Sequence, residues 1–392
     1  MRKAGTKRSA LVSSCLCFGS AIGLIVNSIS IFFPAIASDL ALSTAEATFI
    51  STILNGATAV GAPLAAHLME KRYKLSSMMA AGVVLAAACL AGISCAPSVL
   101  AIYVFSAVAG LSIAFFSTIP VTSLIRSWYG ERSGAALGFA MSCSGLLGAV
   151  ANPLLSLFIG RWGWRISLLL DSLLVFLLAL PAALLAEPGP ELADAKAAAR
   201  KRSHPSFLVP AFWLLALFIL LATWSGALID NLSLYGTDCG LTLGATSAML
   251  SASMVANILA KIAAGALSDH KGPFVSATLC CLVAAAGETL LLAGAGSAPL
   301  LVAGSFLLGF SIPTYTVLVA LLVDKCLGEG RTQAYAFLTT LLEVAFALFI
   351  TFEGSVRDAT GSYVPVLAAG IALACAAALL VLGLGRIAKR RH

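Results

Sequence analysis

Lys261 is the residue that most strongly suggests chemistry in this 392-residue sequence. It lies in an apolar stretch that begins near Leu241, where a charged side chain is costly enough to indicate a functional site. Asn257 precedes it by one helical turn, so both side chains fall on one helix face. An ammonium group beside an amide is suited to binding an anion, and a lysine also exchanges protons readily when it is buried. The same lysine would otherwise pair with a carboxylate inside the membrane or extend its ammonium group to the cytoplasmic edge.

The composition identifies the surroundings of Lys261 as a membrane. The chain is 60% hydrophobic and 10% charged, with a mean hydropathy of +1.00, whereas soluble domains carry about 25% charged residues. Backbone groups in a bilayer must be paired internally, which restricts spanning structures to helices and closed barrels. The apolar runs approach the roughly 20 residues of a spanning helix and lack the alternation of barrel strands of about 10 residues. We therefore predict an all-α membrane protein.

Twelve apolar segments are predicted as transmembrane helices in two pseudo-symmetric six-helix bundles. The first helix covers about 10–33 and ends at Pro34, and the fourth continues from Pro97 to about Leu124. The predicted domains are an N-terminal bundle over 1–186, a polar cytoplasmic linker over 187–207 and a C-terminal bundle over 208–392. Glu343 is central in the eleventh helix, and we predict that it pairs with Lys261 or carries a proton.

The basic residues fix the predicted orientation. Of the 24 Lys and Arg residues, 20 fall in the proposed cytoplasmic segments and three in the proposed outer loops. This bias follows the positive-inside rule, so we expect both termini in the cytoplasm and the protein in the plasma (inner) membrane. The net charge of +7 then belongs to the membrane edges, and no nucleic-acid partner is expected.

The sequence shows no pattern of an enzyme. It contains no nucleotide-binding loop and no nucleophile constellation. The ten cysteines lie mostly inside apolar segments, without the spacing of a zinc site. We expect no cofactor and no metal.

An internal repeat supports the division into two halves. Ala66-x-x-x-Glu70 and Gly265-x-x-x-Asp269 are 199 residues apart, and Arg132 and Arg331 are separated by the same interval. Parallel repeats of this kind place substrate sites near the midplane of the membrane, between the halves.

These features together resemble the major facilitator superfamily. Gly265-Ala-Leu-Ser-Asp269-His-Lys-Gly272-Pro273 is similar to its loop motif, Gly-x-x-x-Asp-(Arg/Lys)-x-Gly-(Arg/Lys), and the first half carries a degenerate copy. Three further stretches resemble the branch of monocarboxylate porters and oxalate/formate antiporters. They are Arg126-Ser-Trp-Tyr-Gly-Glu-Arg132-Ser-Gly134-Ala-Ala-Leu-Gly138, Gly163-Trp164-Arg165 and Asp358-Ala-Thr-Gly361-Ser-Tyr363.

The resemblance implies a latch on the cytoplasmic side. Asp269 is expected near Arg132 at the start of the fifth helix, because a carboxylate suits a helix N-terminus. By pseudo-symmetry, Glu70 is expected near Arg331. Gly265 is expected to let another helix approach closely. The alternative is a solvated loop that only sets the topology.

The resemblance also implies a function, namely alternating-access transport of a small organic anion such as a monocarboxylate, coupled to protons or operating by exchange. It places Lys261 on the substrate carboxylate, with Asn257 and Glu343 beside it. Three further polar residues would either line the cavity or join helices by hydrogen bonds: Asn27, Asn55 and Tyr315. Glu288 and Asp171 are interpreted as structural, because helices 9 and 6 are peripheral in this fold.

Other functions stay open from the sequence. Export of amphipathic drugs or metabolites is the alternative within transport, although Ser106 stands where proton-coupled drug antiporters carry an arginine. A channel or a non-transporting membrane sensor is the alternative of another class. The expected partners are an anionic small molecule, possible coupling protons and the lipid bilayer, with the protein as a monomer.

Overall fold

The first spanning segment is a chain of short helices joined end to end. In the computed structural model, which describes residues 6–70, 74–130, 133–189, 209–327 and 332–389, α1 is Lys7–Phe18, a π-helical segment is Gly19–Val26, a 3-10 turn is Ile29–Phe32 and α2 is Phe33–Leu40. The prediction that this helix ends at Pro34 is wrong. Pro34 lies in the first turn of α2, where its missing N–H needs no partner, so the helix continues beyond it.

The next helices are longer. They are α3 Thr44–Glu70, α4 Leu75–Cys95, α5 Val99–Ile113, α6 Thr118–Tyr129 and α7 Ser133–Leu184. The predicted fourth helix is therefore interrupted between α5 and α6. Within α7, Gly163 alone has a non-helical backbone, with φ 80° and ψ 167°. At 52 residues, α7 is about twice the length that crosses a bilayer, so Gly163 marks a break between two spanning stretches.

The second part of the chain is built in the same way. Its helices are α8 Pro210–Asp238, α9 Leu243–Lys271, α10 Pro273–Ala293, α11 Ala298–Leu308, α12 Ile312–Thr316, α13 Leu318–Leu327, α14 Thr332–Thr360 and α15 Val364–Lys389. A 3-10 turn at Gly309–Ser311 joins α11 to α12, and Pro313 lies in the first turn of α12.

The described residues form helices throughout and include no strand. Eleven of these helical segments are long and apolar enough to cross a membrane, and one of the eleven is the 49-residue stretch Ala136–Leu184 that contains the Gly163 break. The prediction of an all-α membrane protein is confirmed at this level.

The chain divides into two compact units by contact. Unit 1 comprises Met1–Leu42 and Phe49–Lys201, and unit 2 comprises Ser43–Thr48 and Arg202–His392. The first turn of α3 thus belongs to unit 2, while the rest of that helix belongs to unit 1.

Unit 2 has an apolar core at one end of its helices. Phe212, Phe218 and Ile219 of α8 pack with Leu322 of α13 and Leu338 of α14, and all five are essentially buried. In the sequence these residues lie within about three turns of the linker or of the loop before α14. Asn231 of α8, Glu288 of α10 and Glu353 of α14 are buried polar residues farther along their helices, and we call this part the polar end of unit 2.

Candidate functional site

Lys261 lies on α9, a helix with two distinct faces. Thr242 caps its start by accepting a hydrogen bond from the N–H of Ala245 (3.3 Å). One face is buried and includes Ser253, Asn257 and Ala264, whereas Leu259 and Ile262 on the other face are exposed. Lys261 is half-buried at the boundary between these faces, and it forms no ion pair with any described residue. Its ammonium group is therefore available to an anion.

Asn257 provides an unused acceptor one turn before Lys261. Its side chain is 4% exposed, and its Oδ1 has no hydrogen-bond partner among the described residues. Buried amide groups nearly always find partners, so this oxygen is suited to a ligand or a water molecule. The two residues that the sequence placed on one helix face thus both have free polar atoms.

Tyr315 and Glu343 come together in unit 2 with an acid that the sequence analysis missed. The Tyr315 side chain lies close enough to Asp230 and Glu343 for electrostatic interaction. Its ring packs on Gly226, where a Cβ would come within 2.8 Å of the hydroxyl oxygen, and on Phe346 at 6.1 Å between centroids. Glu343 is exposed. Asp230 interrupts an apolar stretch of α8, which is the same signal that singled out Lys261.

The two predicted site residues of unit 1 have local roles in this structure. The backbone N–H of Asn27 donates to Ile22 O (2.7 Å) where the π-helical segment ends. The Nδ2 of Asn55 donates to Ser51 O (2.9 Å) in its own helix. The expectation that the two side chains line the cavity or join helices stays a prediction.

Only part of the predicted latch can be located. The side chain of Glu70 and the residues Arg132 and Arg331 lie outside the described residues. Asp269 is exposed in the last turn of α9, which ends at Gly272 with φ 88°. No described atom lies within 4 Å of a Cβ built at Gly265, and the close helix approach expected there stays a prediction.

The Asp358-Ala-Thr-Gly361-Ser-Tyr363 stretch builds a polar junction inside unit 2. Asp358 accepts hydrogen bonds from the N–H groups of Thr44 (3.1 Å) and Ala45 (2.8 Å) at the start of α3. Two nitrogens of Arg357 donate to the two Asp238 oxygens, both at 2.7 Å. Gly361 has φ 71°, a conformation that glycine adopts without strain. The motif thus turns the chain from α14 into α15 and caps a third helix.

Tyr363 extends this junction into the interior of unit 2. Its hydroxyl donates to Asn231 Oδ1 (3.1 Å). The Asn231 amide nitrogen donates to Ile350 O (3.1 Å) and to Glu353 Oε2 (3.0 Å). Burial raises the pKa of Tyr363 well above its usual range, so the hydroxyl keeps the proton with which it donates. Neither Asn231 nor Glu353 was predicted as a site residue, although both are polar residues within apolar segments.

A separate apolar groove lies between α9 and α11. It has a volume of about 810 Å³ and is lined by alanines, Pro299, Val302, Phe306 and Leu307. None of the polar residues described above contributes to it, so this groove is distinct from the candidate site.

The helical architecture and the polar residues within it agree with the family comparison. The Major Facilitator Superfamily model matches residues 10–350, and the chain therefore belongs to the major facilitator superfamily. It is a multi-pass membrane transporter and not an enzyme.

Relatives and solved structures narrow this assignment. The chain is 25% identical over 419 residues to monocarboxylate transporter 12 of Rattus norvegicus, covering 97% of this chain and 85% of that protein. It is 30% identical over 166 residues to monocarboxylate transporter 1 of Homo sapiens, covering 42% and 33%. The resemblance to the monocarboxylate-porter branch is thus confirmed.

Two solved structures share the fold. The nucleoside transporter NupG aligns with a TM-score of 0.75 at 15% identity, covering 96% of this chain and 99% of that one. A bacterial homolog to the human lysosomal transporter Spinster, in an inward-facing and occupied conformation, aligns with a TM-score of 0.70 at 14% identity, covering 97% and 96%.

Proposed function

We propose that the protein is a secondary transporter that moves a small organic anion of the monocarboxylate class across the membrane by alternating access. Transport is coupled to protons or operates by exchange. The chain crosses the membrane twelve times as two six-helix bundles joined by the 187–207 linker, with Gly163 separating the fifth and sixth spans. Both termini are cytoplasmic, and the protein works as a monomer in the plasma membrane.

The observation that supports an anionic substrate is the lack of a described ion-pair partner for Lys261. A half-buried ammonium group in an apolar helix has no described ion-pair partner, and it follows Asn257 with its free acceptor oxygen. A carboxylate bound to Lys261 would supply the missing counter-charge. A protonated ligand group or a water molecule would satisfy the Asn257 oxygen. The names of the monocarboxylate transporter relatives point to the same chemistry.

Glu343 and Tyr315 complete the proposed site. With one cation and one nearby acid, the site favours a monoanion over a dianion. Glu343 either carries a coupling proton or holds Lys261 when no substrate is bound. Asn27 and Asn55 belong to the same proposal from unit 1. The latch at Gly265, Asp269 and Arg132, together with its counterpart at Glu70 and Arg331, would close the cytoplasmic side during the cycle.

The test is uptake by purified protein in liposomes, with a panel of radiolabelled two- to four-carbon monocarboxylates. We expect Lys261→Ala to reduce uptake of the transported compound at least about tenfold, since a hydrogen bond to a charged group contributes about 1.5–3 kcal/mol and 1.4 kcal/mol is a factor of ten. Lys261→Arg should retain part of the activity because the charge remains.

Lys325→Ala is the matched control, because Lys325 is exposed in the last turn of α13. It should transport like the wild type. Wild-type uptake by Lys261→Ala would refute the role of the ammonium group. Counterflow driven by preloaded substrate separates a carrier from a channel, and uptake of cationic amphiphiles instead of carboxylates would favour drug export.

A further inference from the structure

The polar end of unit 2 contains two buried acids that the proposed substrate site does not use. Glu288 on α10 and Glu353 on α14 both have 0% exposed surface. Both oxygens of Glu288 and Oε1 of Glu353 have no hydrogen-bond partner among the described residues. Glu353 lies close enough to Glu288 for their charges to interact. No described ion pair involves either acid.

The described residues around Glu288 leave space for its carboxyl group but provide no salt bridge to it. Gly370 of α15 faces it so closely that a Cβ there would lie 2.6 Å from Oε1 and 3.0 Å from Oε2. Ser225 of α8 is near enough to interact with the carboxyl group, but no hydrogen bond of normal geometry from a described residue reaches either oxygen. A glycine therefore leaves room for this side chain, while its charge is left uncompensated.

Glu353 has a polar partner at one of its two carboxyl oxygens. Its Oε2 accepts from the Asn231 amide, which is itself fixed by Tyr363 and by Ile350 O. The remaining oxygen is buried and unpaired. Two interacting carboxylates in such a place would both lack the compensation that buried charges require, and a negative charge on one makes ionisation of the other less favourable.

We propose that Glu288 on α10 and Glu353 on α14 form a proton-binding site in unit 2, in which the pair takes up one proton. Binding adds one proton to one carboxylate and breaks no covalent bond. The pair includes neither Lys261 nor Glu343. Its use as the coupling site of transport rests on the proposed function, whereas its occupancy by a proton does not.

Other titratable groups face this pair from the neighbouring helices. Asp230 and Tyr235 lie on α8, Cys281 lies on α10 and Tyr363 precedes α15. The Asp238–Arg357–Asp358 cluster lies beyond Tyr363 and holds its own charges in ion pairs. The single cation of that cluster is thus already engaged by two acids.

The first test detects the proton directly and needs no substrate. Infrared spectra of the purified protein in lipid nanodiscs are recorded across a pH series in choline buffer, and the C=O stretch of protonated carboxyl groups is followed. We expect Glu288→Gln and Glu353→Gln each to lose part of this band at pH 7. Asp269→Asn, which alters an exposed acid in the last turn of α9, should retain it.

An unchanged band in both Gln variants would overturn the proposal, as would a band lost only in Asp269→Asn. Loss of the wild-type band when sodium replaces choline would also overturn it, because a metal cation would then occupy the pair. Circular dichroism and size-exclusion profiles identify any variant that fails to fold. For such a variant the Asp substitution at the same position, which keeps a carboxyl group but moves it, replaces Gln and should shift the frequency of the band, and an unshifted band would overturn the proposal.

The second test concerns coupling and uses the monocarboxylate identified by the liposome panel. Glu353→Gln should lose accumulation driven by a pH gradient while it retains counterflow of the same compound. Loss of counterflow as well would refute a coupling role. If the panel identifies no substrate, the infrared result still decides whether the pair holds a proton, so the two proposals fail separately.

Discussion

Lys261 and the Glu288–Glu353 pair are ionisable groups in apolar helices of the same unit, yet their surroundings are opposite. Lys261 is half-buried, with a free amide oxygen one turn away. Glu288 and Glu353 are sealed, with a glycine backbone on one side and a fixed asparagine on the other. An ionisable residue in an apolar segment is energetically costly, and it therefore indicates a functional site. Whether the residue is accessible determines which kind of ligand it can bind. An accessible site suits a small molecule, and a sealed one suits a proton.

The largest expected effect comes from a bulky substitution beside Glu288, which tests whether this acid is tightly enclosed and Lys261 is not. Gly370→Leu would place side-chain atoms where the carboxyl group lies, because even a Cβ comes within 2.6 Å of Oε1. We expect a loss of about 3 kcal/mol in the free energy of unfolding, typical of overpacked interiors. Unfolding in detergent, followed by circular dichroism, measures it.

Gly383→Leu is the matched control for this change. Gly383 lies on the same helix, and no described atom is within 4 Å of its Cβ position. Glu288→Ala should restore much of the stability of Gly370→Leu, since residues in contact show coupled effects. If Gly370→Leu and Gly383→Leu are equally stable in the wild-type background, the Glu288 carboxyl group is not packed against Gly370.

A second comparison uses two buried asparagines. Asn231→Ala removes bonds to Ile350, Glu353 and Tyr363, and at about 0.6 kcal/mol per bond in a membrane the unfolding free energy should fall by about 2 kcal/mol. Asn257→Ala removes an oxygen without a partner and should stay within about 0.5 kcal/mol of the wild type, while it reduces monocarboxylate uptake. Similar losses of stability in both variants would contradict the distinction between a structural and a ligand-binding amide.

The smallest effect is expected at the start of α3. Asp358→Asn removes the charge that accepts the Thr44 and Ala45 N–H groups, and helix capping of this kind contributes about 1 kcal/mol. The melting temperature in detergent should fall accordingly. Asp269→Asn alters an exposed acid at a helix C-terminus, where the helix dipole disfavours negative charge, and should not lower it.

The sequence predicts the fold class, a helical membrane protein, better than it predicts where individual helices begin, bend and end. Apolar segments and the bias of basic residues identify a helical membrane protein, because the bilayer imposes both. The interruption before Pro34 and the π-helical segment at Gly19–Val26 were not predictable. Proline is compatible with both the end and the first turn of a helix, so Pro34 alone did not show that α2 follows.

The candidate site was predictable only where spacing along one helix determines proximity. Asn257 and Lys261 share a face because they are four residues apart. Glu288 and Glu353 are 65 residues apart, and their proximity depends on the packing of α10 and α14, which no local pattern encodes. The interpretation of Glu288 as purely structural was drawn from the position of its helix, and its two unpaired oxygens became visible only with the fold.

The hydrogen bonds of Asn231 have a stereochemical consequence for Glu353. Rotating the Asn231 amide by 180° would place its oxygen next to two other acceptors, Ile350 O and the Glu353 carboxyl group. The amide therefore has one favourable orientation. In that orientation Oε2 is already an acceptor. Any hydrogen carried by Glu353 must therefore reside on Oε1, which makes the two oxygens of this residue chemically inequivalent.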